Sequence, residues 1–157
     1  MFNTVVEGAL TSTSTAQLHP LGTLRGDSDG KIYRYVKNID LTAADGWALC
    51  AASTTDPNVV SGDASGGSAI TSIPRGVAIG AIPQNSYAWI QVSGYKSNVL
   101  SDGSVAAGEA LIKHASTDGG VDSGAAGSTV VVTVHQSFGK ALANDTTTRV
   151  KALIDTL

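Results

Sequence analysis

The segment Tyr87-Ala88-Trp89-Ile90-Gln91-Val92 places Ala88, Ile90 and Val92 on one face of an extended chain and Tyr87, Trp89 and Gln91 on the other. Residues 149–154 repeat the arrangement, with Val150, Ala152 and Ile154 on the inner side and Arg149 and Lys151 outside. A period of two suits a half-buried strand and gives a helix no continuous apolar face. It therefore restricts the chain to folds in which sheets bury one face each. Residues 109–114 and 129–136 read as further short strands, the latter with Val130, Val132 and Val134 on one side and Thr133 and His135 on the other. Residues 31–37 start at the turn signal Asp29-Gly30 and are rich in aromatic and β-branched side chains. Their inward face stays open, because Ile32 and Val36 share a side with Arg34 while Tyr33 and Tyr35 share the other with two lysines.

Residues 76–82 form a continuous apolar run, the pattern of a strand buried on both faces, and Pro83-Gln84-Asn85-Ser86 closes it with a turn. Helix is expected to be scarce. Residues 42–52 have room for one turn, but Gly46 lies inside it and is costly there. Residues 53–74 and 116–128, rich in Ser, Thr and Gly, are expected to be surface loops. The expectation is an all-β fold, a small antiparallel barrel or sandwich. Residues 1–30 form an extended N-terminal arm and residues 31–157 a single β domain. The arm carries spaced apolar anchors at Phe2, Val5, Val6, Leu10, Leu18, Leu21 and Leu24, so it packs either on its own domain or across a neighbour.

Charged residues make up 15% of the 157 residues, against about 25% in ordinary soluble domains. A surface of Ser, Thr, Ala, Gly and Asn costs little to dehydrate when a partner docks, which favours a binding role. Ten Lys and Arg are spread thinly and the net charge is −3. Neutralising phosphates takes clustered cations, so nucleic-acid binding is not expected. Cys50 is the single cysteine and sits among apolar neighbours, which rules out an internal disulfide and points to a buried small side chain. No apolar run reaches the ~18 residues of a membrane span, and residues 1–7 lack the pattern of a signal peptide. A soluble protein made in a cytoplasm is expected, with no membrane partner.

Motifs for catalysis are absent from the pattern. Gly66-Gly67-Ser68-Ala69-Ile70 lacks the second glycine of a nucleophile elbow, and Gly139-Lys140-Ala141 lacks the spacing and hydroxyl of a phosphate loop. Asp27-Ser28-Asp29 offers two carboxylates, but a calcium loop starting at Asp27 has unsuitable residues at Lys31, Ile32 and Asn38. A metal-free Asp-Gly turn is the better reading. His19, His114 and His135 share no ligand spacing. The expectation is no enzyme, no metal and no cofactor. Tyr87 and Trp89 remain as aromatic anchors, either buried in a core or subunit interface or presented to a glycan or receptor.

The order Leu21-Gly22, then 29–38, then 76–82 running into 87–92, followed by Ala107-Gly108-Glu109-Ala110-Leu111, Phe138-Gly139-Lys140-Ala141-Leu142 and 149–154, resembles small β-barrel decoration (head cement) proteins of tailed-phage capsids. The resemblance covers roughly residues 20–157. It implies a protein on the capsid exterior that binds the major capsid protein, associates with itself as a homotrimer and cements neighbouring capsomers. The anchors Phe2 to Leu24 would then meet the capsid or a sister subunit.

Overall fold

The computed structural model describes residues 9–53, 55–64, 73–124, 137–145 and 148–156. The fold is all-β, and no helix occurs among the described residues. The strands are β1 (Leu24–Gly26), β2 (Ile32–Asn38), β3 (Ala48–Ala51), β4 (Val59–Ser61), β5 (Pro74–Ala78), β6 (Ser86–Leu100), β7 (Ala110–Lys113), β8 (Val121–Ser123), β9 (Gly139–Ala141) and β10 (Arg149–Asp155). Their order in the sheet is β1-β2-β4-β3-β5-β6-β10-β9-β7-β8, and a further pairing of β2 with β6 closes β2, β4, β3, β5 and β6 into a five-stranded barrel. The β2–β4 pair is parallel and the remaining pairs are antiparallel.

The fifteen-residue β6 joins the two halves of the molecule. Its first half pairs with β2 in the barrel, with Trp89 opposite Tyr35 and Ile90 opposite Arg34. Its second half pairs with β10 from Ser93 to Leu100 and so carries the chain into an outer sheet of β10, β9, β7 and β8. Alternation along the strands sorts the apolar side chains into three clusters. Val36, Leu49, Val60, Ala78, Ala88, Ile90 and Val92 fill the barrel, with Ala43 and Ile82 at one end. Ala48, Cys50 and Val77 on the barrel wall pack against Val99, Leu111, Val121, Phe138, Val150 and Ile154 of the outer sheet. On the opposite wall Tyr33, Tyr35 and Trp89 are covered by Leu10, Leu21, Ile79 and Tyr87.

Several expectations are refined by this register. The 149–154 alternation holds as a half-buried strand and 109–114 contains β7, while 87–92 is a strand whose second face, with Trp89 and Gln91, is buried as well. The apolar run 76–82 is not one strand. Val77 and Ala78 do face two different cores, but the strand stops at Ala78, the chain bends at Ile79 and Gly80, and Ala81 is exposed. Residues 42–52 hold no helical turn; they hold β3, because Ala48 and Leu49 pair with Val77 and Gly76. Both expected loops contain a three-residue strand, β4 and β8. The strand expected at 129–136 lies outside the described residues.

Cys50 is 1% exposed, and burial pushes its thiol up to about 12 even though Lys113 and Arg75 favour the thiolate. The thiolate is the reactive form. The native protein is therefore expected to be inert to a disulfide reagent at pH 8, with labelling that follows the rate of unfolding as urea is added. Rapid labelling without urea would contradict the packing described for Cys50.

Candidate functional site

The arm from Ala9 to Gly26 lies on its own barrel. Ser14 and Tyr87 exchange two backbone hydrogen bonds of 3.0 and 2.7 Å, which adds the arm beside the start of β6. The Leu18 N–H donates to the Tyr35 hydroxyl (3.2 Å), and Gly22 donates to the Tyr35 carbonyl (2.8 Å). Leu10 and Leu21 pack on the Tyr33/Tyr35/Trp89 cluster and Leu24 on the barrel cluster. Of the arm anchors in the described residues, Leu18 is the one left largely in water, at 65% exposure. Phe2, Val5 and Val6 lie outside the described residues.

Trp89 is 4% exposed. His19 from the arm sits against it (ring centroids 5.4 Å) and edge-on to Tyr35 (5.1 Å), while Tyr35 stacks on Tyr87 at 6.1 Å. Lys37 lies over the Tyr87 ring at 5.6 Å. The cavity left between arm and rings is about 20 Å³, room for about one water. A sugar needs an exposed ring face, and the arm occupies it here. Trp89 is an internal anchor, and the partly buried Tyr87 packs on the same cluster.

His114 comes together with Asp102 and Asp122, their ligand atoms within 4.8 Å of one another. Residue spacing conceals this group, since the three lie on the loop after β6, directly after β7 and in the middle of β8. Two hydrogen bonds decide its chemistry. The backbone N–H groups of Ser116 and Thr117 donate to His114 Nδ1 at 3.1 and 2.8 Å, so the proton of the neutral ring is on Nε2. Nε2 faces Asp102 Oδ2 at 3.8 Å as a donor and has no lone pair for a cation. Ser104 Oγ donates to Asp102 at 2.7 Å and makes no contact with the imidazole, so no nucleophile–base pair forms. The group ties the β6 end to the β7–β8 hairpin.

Asp27 is likewise committed. Its Oδ1 accepts from the N–H of Asp29 (3.0 Å) and Lys31 (2.9 Å), and its Oδ2 from the Tyr33 hydroxyl (2.9 Å). Burial works against its ionisation, but the Lys31, Tyr33 and Asp29 donors outweigh it and lower the pKa. Burial, followed by contact with Asp27, raises the Tyr33 hydroxyl in turn. Asp45 is lowered despite its burial by Lys96 (2.7 Å) and Asn98, and Asp102 despite its burial by Ser104 and then His114. A carboxyl with a depressed folded pKa binds fewer protons folded than unfolded, so its contribution is complete above the unfolded value of about 3.9 and fades as pH falls through the folded one. The melting temperature is expected to be flat above about pH 5 and to fall below about pH 4. Asp45→Asn should soften that acid limb, and an identical limb in the variant would contradict the assignment.

An open groove of about 300 Å³ is lined by Leu10, Lys31, Tyr33, Ile79, Gln91 and Tyr95 among others, and its lining contains no carboxylate, histidine or cysteine.

The outward face of β6, β10 and β9 has a different character. Leu153 is 49% exposed and pairs across the strands with Tyr95 (45% exposed) on one side and Lys140 on the other. Leu142, 52% exposed, follows two residues after Lys140, and its N–H bonds the carbonyl of Lys151. Lys140 and Lys151 are both exposed. Three large apolar side chains thus stand in water, two on strands and Leu142 just past the end of β9, with two cations beside them, and none of the anchors Leu10, Leu18, Leu21 and Leu24 is in these strands. The signal was present as the outer half of the 149–154 alternation. No family model, no curated protein and no solved structure matches the chain.

Proposed function

We propose that the chain is a virion structural protein, a decoration protein that binds the outer surface of a tailed-phage head and holds neighbouring capsomers together. Its partners are the major capsid protein and sister copies of itself in a homotrimer. It acts by binding and carries out no catalysis. The observation that carries the reading is the outward Tyr95/Leu153/Leu142 face with Lys140 and Lys151 beside it. Apolar side chains held on strands lose little freedom on docking, and a charge-poor surround is cheap to dehydrate. The two lysines favour an acidic, apolar-centred surface on the partner.

Support also comes from what the other features are used for. The aromatic pair anchors the arm, and the Asp102/His114/Asp122 group locks a hairpin. The test is direct: purified protein is mixed with undecorated heads of its own phage and sedimented, and its mass in solution is measured alone. Saturable co-sedimentation and a trimer mass are expected. A monomer that stays in the supernatant would overturn the reading.

A further inference from the structure

Arginine carries five N–H donors and no acceptor, and it is costly to cover without oxygen partners. Arg34 lies between Ile32 and Val36 on the face of β2 that packs into the barrel, opposite Ile90 of β6. Arg75 lies on β5, the other neighbour of β6 in the barrel. It is the extra residue of a bulge: Leu49 opposes Gly76 and Cys50 opposes Pro74, leaving Arg75 without an opposite residue. A bulge re-aims a side chain out of strand alternation, and bulges concentrate at barrel rims and functional sites. This one depends on Gly76, whose φ is +149° and where a Cβ would stand 2.5 Å from the Gln91 carbonyl.

Both arginines are half-buried. Arg34 Nη1 and Arg75 Nε are buried without a hydrogen-bond partner, and among the described residues no carboxylate lies within ion-pair distance of either guanidinium. The charge of Arg34 is opposed by burial and then by Arg75 itself. The chain has ten Lys and Arg in all, and two of them lie on the two barrel strands that flank β6, each with a buried donor unused.

We propose that Arg34 and Arg75 form a binding site for a doubly charged oxyanion, a phosphate or sulfate group. Two guanidinium forks match such a group in charge and geometry, because each presents paired N–H donors to two oxygens. The occupant removes the repulsion between the arginines and gives the covered donors their acceptors. The site is independent of the outward face on β6, β10 and β9.

The experiment is calorimetric titration of the purified protein with inorganic phosphate and, separately, sulfate, alongside thermal unfolding at ionic strength matched with chloride. Saturable binding and a rise in melting temperature that follows site occupancy are expected. Arg34→Met and Arg75→Met should each weaken phosphate binding at least tenfold, while melting no lower than the wild type in chloride alone, since each removes an unpaired charge. Lys140→Met, on the outward face, should bind as the wild type does. Both anions also stabilise proteins by exclusion from their surface, which acts on wild type and variants alike. A rise of equal size in all four proteins, or the absence of saturable heat with the wild type, would overturn the proposal. If one arginine variant does not fold, the other carries the comparison, and the wild-type titration stands without either.

Discussion

Replacing Trp89 with alanine is expected to lower the stability of the chain by about 3–5 kcal/mol, the range for truncating a large buried aromatic. The indole is nearly inaccessible and touches Tyr35 at 5.2 Å and His19 at 5.4 Å. Its loss removes apolar contact from the barrel wall and from the underside of the arm together. Urea unfolding measures the first effect. Limited proteolysis measures the second, since the Ser14–Tyr87 backbone pair holds the arm beside β6, the strand that loses the indole. Cleavage between residues 9 and 20 should be accelerated in the variant while the barrel stays intact. A ligand-facing tryptophan would behave in the opposite way, with stability within about 0.5 kcal/mol of the wild type. That outcome would restore the glycan-binding reading.

Phe138→Ala should have an effect of the same size, about 3–5 kcal/mol, at the other wall of the barrel. Phe138 is wholly buried among Leu111, Val121, Val99 and Ile154, where the outer sheet meets Ala48, Cys50 and Val77. Its backbone also bridges two strands, donating to Leu111 (2.7 Å) and accepting from Asp155 (3.0 Å). For a chain of this length the loss corresponds to a fall in melting temperature of roughly 6–20 °C. The two substitutions empty different clusters that share no residue, so their effects should add within about 0.5 kcal/mol in the double variant. A fall of less than 1 kcal/mol for Phe138→Ala would mean that the outer sheet does not depend on this contact.

Where the described chain alternates over six residues or more, as at 87–92 and 149–154, the strands were legible. The 149–154 segment announced both its strand character and its inward face, 87–92 its strand character, and Cys50 its burial. Shorter strands were not legible, because three residues such as Val59–Ser61 or Val121–Ser123 contain no period. The continuation of β6 past Val92 was hidden by Ser93 and Gly94, whose polar and small side chains break the apolar pattern at the point where the strand leaves the barrel. The face of 31–37 could not be chosen from sequence because Arg34 shares a side with Ile32 and Val36. The pairing with Ile90 settles it: the arginine is on the barrel side. The arm anchors were read as apolar positions, and Leu10, Leu21 and Leu24 proved to be held by the chain itself. The exposed trio Tyr95, Leu142 and Leu153 went unnoticed, because exposure of an apolar residue is a property of register and neighbours, which a single strand pattern does not contain.

The most direct measurement is co-sedimentation with undecorated heads of a Tyr95→Glu, Leu153→Glu variant beside the wild type. Both positions are outward and half-exposed, so the variant should fold with its melting temperature nearly unchanged. Two carboxylates in the centre of the face should weaken association by about a hundredfold or more, since truncated or charged anchors at an interface centre cost upwards of ~2 kcal/mol. The account predicts wild-type protein in the pellet and the folded variant in the supernatant. A variant that folds and sediments with the heads as the wild type does would contradict it.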